Sequence, residues 1–126
     1  MTRDEFFGLL DRMAEGWNGN DPDLVASCFA EDVDYADPLR YGLHGRAELR
    51  AFFELPAGGS QWVRWHSILF DEAAQTGAAE YTYQEAQRYH GLVLVRVAGG
   101  LVTHWREYQH TSAHDHAAFV AGADRL

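Results

Sequence analysis

The chain of 126 residues contains no lysine, a single cysteine and only 3 prolines. Without lysine, a Schiff-base mechanism, a lysine base and the phosphate-binding lysine of a P-loop are all excluded. Cys28 cannot form a disulfide within the chain, and we expect it to fill the core. The first residues carry acids where a secretory signal carries a basic region, which favours a cytoplasmic location.

Positive charge is also scarce, because ten arginines stand against nineteen aspartates and glutamates, for a net charge of -9. Such a chain repels phosphate backbones and anionic lipids, so we expect neither nucleic acid nor membrane as a partner. Hydrophobic residues make up 47% of the sequence and aromatic residues 13%, which is typical of a globular protein. The length predicts one domain over residues 1–126.

Motifs for metals and cofactors are missing as well. The chain has seven histidines, but no HExxH motif and no paired cysteines, and the spacing of His114 and His116 puts them on different helix faces. No glycine-rich nucleotide loop and no Gly-x-Ser-x-Gly elbow occurs. The sequence therefore predicts a protein without a metal or a cofactor.

The first half of the chain has helical patterns. Thr2 and Glu5 form a capping-box signature, and apolar residues at helical spacing predict a first helix from roughly Arg3 to Trp17. Asp21 followed by a proline predicts the start of a second, shorter helix. We expect that helix to carry Leu24, Val25, Cys28 and Phe29.

An extended run from Val33 to Tyr35 follows, and the proline at position 38 keeps Asp37 out of the helical region. Gly45 then precedes a third helical pattern. Its apolar residues, which cluster on one side, are Leu49, Phe52 and Phe53.

The second half alternates in the manner of β-strands. Four strands are predicted, at about Trp62 to Phe70, Gly77 to Tyr83, Arg88 to Val97 and Leu101 to His110. A hairpin turn at residues 98–100 joins the last two, and successive antiparallel pairing is the simplest topology. Ser112 and Asp115 indicate the cap of a short final helix with Phe119 and Val120. This α+β layout places helices on one face of a curved antiparallel sheet, with a pocket between the layers.

The segments NGNDPDLVASCFAEDVDYADP and HGRAELRAFF, with the closing YHGLVLVRVAGGLVTHWREY, resemble nuclear transport factor 2-like proteins of the SnoaL-like and ketosteroid isomerase-like branch. The resemblance implies a cone-shaped barrel of a curved antiparallel sheet, wrapped by three N-terminal helices, with a cavity inside. It also implies homodimers formed through the outer face of the sheet.

The resemblance also implies roles for individual residues. In relatives of the ketosteroid isomerase type, the aspartate of the Asp-Pro pair is the general base, and that position is Asp37 here. Those relatives use a tyrosine on helix 1 and a protonated acid on a strand as hydrogen-bond donors to the oxyanion. Met13 stands in place of the tyrosine, and the stretch Val93 to Val95 has no acid. The steroid isomerase mechanism therefore lacks both donors.

Two carboxylates are the main catalytic candidates. Asp37 is either an acid that faces the pocket or a turn carboxylate that accepts backbone hydrogen bonds. Alternation on the last strand groups Leu101, Thr103, Trp105, Glu107 and Gln109 on one face, which the resemblance assigns to the cavity. Glu107 would then lie beside an indole, and burial would raise its pKa and suit it as a proton donor. The alternative is a structural pair with an arginine or a tyrosine.

Two histidines lie on strands whose inward face the sequence leaves open. His66 would be a third catalytic group if it enters the pocket, and otherwise a surface residue. His90 precedes Gly91, where a β-bulge would turn the imidazole inward.

The leading hypothesis is an acid–base enzyme of the isomerase or cyclase type that acts on a hydrophobic, ring-containing or polyketide-like molecule. The alternative is a ligand-binding or dimeric adaptor protein without catalysis. Most aromatic residues of a small domain belong to its core, but some would form the walls of the pocket. The predicted substrate-binding residues are Met13, Trp17, Tyr35, Tyr83, Tyr89 and Trp105.

Overall fold

The computed structural model describes residues 1–111, 117–118 and 121. The elements, in chain order, are α1 (Arg3–Asn18), α2 (Pro22–Ala26), β1 (Phe29–Asp37), β2 (Tyr41–His44), α3 (Arg46–Phe53), β3 (Trp62–Asp71), β4 (Thr76–Gln84), β5 (Arg88–Ala98) and β6 (Leu101–His110). The residues that define the predicted final helix, and the two histidines near it, lie outside the described residues; they are Ser112, His114, Asp115, His116, Phe119 and Val120. No helix in the described ranges is long and apolar enough to cross a membrane.

The two N-terminal helices begin where the sequence predicts. The Thr2 hydroxyl accepts from the Glu5 backbone N–H, and the Glu5 carboxylate accepts from the Thr2 N–H, which confirms the capping box. The Asp21 carboxylate caps α2 by accepting from the Leu24 N–H at 3.0 Å. However, α2 ends at Ala26, so the prediction that it extends to residues 28 and 29 is wrong. The Ser27 hydroxyl donates to the Leu24 carbonyl at 2.6 Å, and the chain then enters β1.

The sheet has six strands in the order β2-β1-β6-β5-β4-β3. The predicted strands β3 to β6 form an antiparallel meander, but β1 pairs in parallel with β6, so the all-antiparallel prediction is wrong and the sheet is mixed. The first and last strands of the meander, β3 and β6, run in opposite directions. With its direction, β1 would pair antiparallel with β3, but it pairs with β6 and is therefore parallel to it. The extended run at 33–35 is part of this longer strand, and β2, which sequence analysis missed, pairs with it antiparallel.

The core lies between the helices and the inward face of the sheet. Burial alternates on β1 at Val33, Tyr35 and Asp37. On β6, Trp105 and Glu107 face inward as predicted, but Val102 is buried in place of its two neighbours. A register shift opposite, at Arg96/Val97 of β5, accounts for that exception because an irregular pairing moves the alternation by one residue.

The hairpin between β5 and β6 is confirmed at Gly99 and Gly100. Both have positive φ, at 58° and 80°, which a two-residue turn of the type that matches strand twist requires. The sheet does not close into a barrel, so β2 and β3 lie at its two edges. The molecule thus has a curved, open mixed sheet with helices against one face, and the candidate site lies between these layers.

Candidate functional site

A cavity of about 430 Å³ opens between the helices and the inward face of the sheet. This volume falls within the range of small-molecule sites, roughly 300–1,000 Å³. Its walls are mainly aromatic, and these side chains are Trp17, Tyr35, Tyr41, Phe52, Phe53, Trp65, Tyr81, Tyr83, Tyr89 and Trp105. Such walls favour a flat, apolar molecule, because rings stack on rings and exclude water.

Glu107 brings a carboxylate to the wall of this cavity. Its side chain is only 5% exposed. One oxygen, Oε2, accepts from the Trp105 indole N–H at 2.9 Å, from the Tyr35 hydroxyl at 3.1 Å and from the Tyr81 hydroxyl at 3.4 Å. The other oxygen, Oε1, accepts from the Tyr41 hydroxyl. The donors come from β1, β2, β4 and β6, so four strands converge on one carboxylate.

Burial raises the pKa of the Glu107 carboxyl above its ordinary value near 4.5. The hydrogen bonds from Trp105, Tyr41 and Tyr35 act in the opposite direction, and the charge of Asp37 adds to the rise. Desolvation therefore exceeds the effect of the donors, and the neutral acid is favoured beyond what an exposed glutamate shows. Glu107 is suited to hold a proton and to give it to a bound molecule.

The phenols around Glu107 keep their own protons. Burial, followed by the nearby Glu107 charge, raises the pKa values of Tyr35, Tyr41 and Tyr81 above the ordinary range of tyrosine. Burial likewise raises the pKa of Tyr83. At neutral pH these side chains are hydrogen-bond donors, not phenolates.

Asp37 is buried at the end of β1, with 2% of its surface exposed. Its carboxylate accepts from the Leu39 N–H at 3.1 Å and from Arg40 Nε at 2.8 Å. Asp37 is enclosed on the inward face and holds the turn into β2, which agrees with the turn-carboxylate alternative; the alternative that it faces the pocket stays a prediction. Arg40, rather than Asp37, forms part of the cavity wall.

Arg40 is the one cation among the described residues that line the cavity. Its guanidinium lies 5.0 Å from the centre of the Tyr89 ring and 5.9 Å from that of Tyr41. The hydrogen bond to Asp37 raises the pKa of Arg40, which keeps the guanidinium charged beside Asp37. This ion pair closes one side of the cavity and holds the second carboxylate.

His66 and His90 lie on the opposite side of the sheet. His66 Nε2 is 2.8 Å from the Thr82 hydroxyl, and Thr82 is 3.2 Å from His90 Nδ1. Because Tyr81 and Tyr83 both line the cavity, alternation turns Thr82 and its two histidine partners to the outer face. The structure thus places His66 away from the catalytic position that the sequence left open.

The predicted substrate-binding residues divide into two groups. Met13 is fully buried in the core and does not contribute to the cavity wall. The others do contribute to the wall, and they are Trp17, Tyr35, Tyr83, Tyr89 and Trp105.

Sequence reasoning missed Tyr41 and Arg40, and it treated Tyr81 only as one aromatic among many. The available signal was the alternation in Tyr41-Gly42-Leu43-His44, which predicts a short strand, with Tyr41 in line with Asp37 across a tight turn. No cluster of three or more histidine, cysteine or acidic side chains that suits a metal occurs in the part of the chain that the structure describes.

The fold and the cavity define a class of protein, the nuclear transport factor 2-like α+β proteins, in which a curved sheet and helices enclose a ligand site. The sequence model of the SnoaL-like domain matches residues 10–105, and the chain belongs to this family. No curated protein sequence matches the chain.

Solved structures of the same fold include a candidate ketosteroid isomerase from Kribbella flavida DSM 17836, with 23% identity, a TM-score of 0.73 and coverage of 89% of this chain and 82% of that one. An LEH-like epoxide hydrolase from M. tuberculosis is 17% identical, with a TM-score of 0.75 and coverage of 95% and 92%. A candidate polyketide cyclase from Xanthomonas campestris pv. campestris is 18% identical, with a TM-score of 0.68 and coverage of 96% and 98%. At these identities the similarity establishes the fold alone.

Proposed function

We propose that this SnoaL-like protein is an acid–base enzyme of the isomerase or cyclase type that works without a cofactor. The observation that supports the proposal is the buried Glu107 carboxylate, which faces an aromatic cavity and is held by donors from four strands. Burying a carboxyl group costs free energy of desolvation. Carboxyl groups with perturbed pKa values are concentrated at active sites.

The two carboxylates have different surroundings and therefore different proposed roles. Glu107 is the proton donor, because burial favours its neutral form. Asp37, which forms an ion pair with Arg40, is the proton acceptor, the role that the family resemblance implies for the aspartate of the Asp-Pro pair. A substrate that reaches Asp37 must displace Arg40, which lines the cavity with 41% of its side chain exposed.

The proposed substrate is a hydrophobic molecule with a ring system and an oxygen that accepts a proton. The aromatic walls suit the ring system, and the phenols suit a carbonyl, hydroxyl or epoxide oxygen. Epoxide hydrolase and polyketide cyclase are among the names of the structural neighbours, which supports this chemistry. A homodimer through the outer sheet face, one domain over residues 1–126 and a cytoplasmic location remain part of the proposal.

The test is a panel of three probes: an aryl epoxide, a hydroxy-epoxide that can cyclise, and a cyclic ketone with an unconjugated double bond. Product formation is measured with the wild type, Glu107→Gln and Asp37→Asn. We expect turnover of at least one probe, with a loss of roughly a hundred- to ten-thousand-fold in Glu107→Gln. Affinity, measured by tryptophan fluorescence, should change little.

Glu85→Gln is the matched control, since Glu85 also lines the cavity but is exposed. It should turn over the probes like the wild type. If the wild type binds the probes and converts none of them faster than Glu107→Gln does, the protein is a ligand-binding module and the proposed enzyme function is wrong.

A further inference from the structure

The two oxygens of Glu107 have unequal surroundings. Oε2 accepts from the Trp105 indole N–H and the Tyr35 hydroxyl, with the Tyr81 hydroxyl more distant at 3.4 Å, whereas Oε1 has the Tyr41 hydroxyl. An indole N–H can only donate, so the Trp105 bond to Oε2 cannot reverse. A proton on Oε2 would compete with that N–H for the same lone pairs. The proton of the neutral acid is therefore on Oε1, opposite Tyr41.

This position determines the direction of the hydrogen bond to Tyr41. When Glu107 is a carboxylate, the Tyr41 hydroxyl donates to Oε1. When Glu107 is protonated, Oε1 becomes the donor and the Tyr41 oxygen becomes the acceptor. The single proton of the Tyr41 hydroxyl must then turn to another acceptor. Because Tyr41 lines the cavity, a bound molecule is in a position to supply that acceptor.

The other two phenols are less free to reverse. Tyr35 is only 4% exposed, and its ring is stacked on Trp105 with a centroid distance of 5.5 Å and an interplanar angle of 5°. The Tyr81 hydroxyl has its proton engaged with Gln109 Oε1 at 2.8 Å, a shorter contact than its 3.4 Å to Glu107. Tyr41 is only partly buried, and its ring packs on Phe52 at 5.1 Å along the cavity wall.

We propose that Tyr41 is a catalytic residue that passes the proton of Glu107 Oε1 to an acceptor oxygen of the bound molecule. In this step the Glu107 O–H bond breaks as the Tyr41 oxygen takes the proton, and the Tyr41 O–H bond breaks as the new bond to the substrate oxygen forms. Glu107 ends as a carboxylate, Tyr41 is unchanged, and the substrate gains one proton. The substrate class is narrowed to molecules with a carbonyl or epoxide oxygen next to a ring. The inference rests on the proposed function, in which Glu107 is the acid.

The raised pKa of Tyr41 agrees with this role, because a relay must not become a phenolate itself. The other titratable or charged groups that line the cavity are Tyr35 from β1, Arg40 from the turn, Glu54 after α3, Tyr81 and Tyr83 from β4, Glu85 after β4, and Tyr89 from β5. Asp37, buried at the end of β1, adds its charge. Burial keeps the phenols of Tyr35, Tyr41, Tyr81 and Tyr83 neutral. The titration of Glu107, whose carboxyl contacts the Tyr41 hydroxyl, is therefore the one that reverses the Tyr41 bond.

The experiment uses acetophenone as the probe, and it does not require turnover. Its carbonyl stretching band is recorded by infrared difference spectroscopy in the saturated protein across the titration of Glu107. Below that midpoint, Tyr41 donates to the carbonyl and the band shifts to lower frequency. Above it, Tyr41 donates to Glu107 and the shift is lost. In Glu107→Gln the band should no longer respond to pH.

Two phenylalanine variants separate a relay from a structural role. Tyr41→Phe keeps the ring and its packing, and it should abolish the shifted band at every pH. Tyr35→Phe removes a phenol donor from the same carboxylate, which makes the carboxylate less stable. The shifted band should remain in this variant, and the pH midpoint at which it is lost should be higher. A shifted band that survives in Tyr41→Phe, or a carbonyl band that stays at its free position at every pH in the wild type, would overturn the inference. Failure of the proposed function would be recognised by a different measurement, namely the absence of turnover with the probe panel.

Discussion

Glu107 is subject to opposing influences that can be ranked. The bonds from Trp105, Tyr35 and Tyr41 stabilise the carboxylate, and they include an indole N–H on the same strand two residues away. Burial and the charge of Asp37 oppose them, and the net pKa is raised. The sequence indicated this outcome, because alternation brings an indole and a carboxyl to one face of β6. The partners from β1, β2 and β4 depend on pairing across the sheet and had no local signal.

The raised pKa makes a prediction about stability. The folded state holds the Glu107 proton more tightly than the unfolded state, so this contribution to stability is complete below about pH 4.5 and is lost as pH rises through the folded pKa. Glu107→Gln cannot ionise. The free energy of unfolding of Glu107→Gln minus that of the wild type should therefore increase as pH rises above about 4.5. The total increase should be about 1.4 kcal/mol for each unit by which the folded pKa exceeds the unfolded pKa.

Urea denaturation at a series of pH values measures this difference. Glu85→Gln, which removes a carboxylate at an exposed position, is the control for the loss of a charge. A constant difference between Glu107→Gln and the wild type would contradict the raised pKa.

At the scale of elements, Gly91 connects β5 to the site. The sequence suggested a bulge there, but β4 and β5 pair without a register shift, and Gly91 stands directly opposite Tyr81. A β-carbon at Gly91 would lie 2.6 Å from the Tyr81 hydroxyl oxygen and ring. The glycine therefore makes room for the tyrosine that contacts Glu107 and Gln109, in a regular strand.

We predict that Gly91→Ala displaces the Tyr81 ring and lowers the free energy of unfolding by about 1–3 kcal/mol, as overpacking does. Gly42→Ala on β2 is the control, since nothing lies within 4 Å of a β-carbon there. Chemical denaturation of both variants tests this. Equal stability of Gly91→Ala and Gly42→Ala would show that Tyr81 moves without cost.

The elements that the sequence predicted well are those with local signals. The capping box at Thr2 and the Asp21 N-cap mark the helix starts, and paired glycines mark the last hairpin. Strands β3 to β6 are nine residues or longer and rich in Trp, Tyr, Val and Thr, which is enough to identify them. By contrast, β2 has four residues, and the parallel pairing of β1 with β6 joins segments far apart in the chain. The alternation in β2 is too short to stand out, and the pairing of β1 with β6 leaves no local signal.

At the scale of the whole molecule, the outer face of the sheet carries exposed apolar side chains. Leu92 and Leu94 on β5 are 47% and 43% exposed, and Tyr108, which pairs with Leu92, is 43% exposed. Apolar positions beside arginines such as Arg106 are typical of interfaces between subunits. They agree with the homodimer that the family resemblance implies.

We predict a homodimer that Leu94→Glu converts to a monomer, because desolvating the new carboxylate between two subunits costs more than pairing with Arg106, which lies opposite on β6, returns. Leu39→Glu is the control, since Leu39 is 84% exposed in the turn between β1 and β2. Sedimentation velocity distinguishes the two masses. A wild type that sediments as a monomer would contradict the predicted homodimer. A Leu94→Glu variant that stays dimeric would show that the interface lies elsewhere.

The parallel pairing of β1 with β6 has a consequence for synthesis on the ribosome. β6 is the last of the six strands to be translated, yet it occupies the middle of the sheet and bears both Trp105 and Glu107. Until it emerges, the β1–β2 pair and the β3–β5 hairpins are two separate pieces with open edges, and such nascent intermediates are prone to aggregate. Closing so long a loop is also slow. The Glu107 carboxyl group and the pocket that surrounds it therefore cannot be completed before β6 has been synthesised.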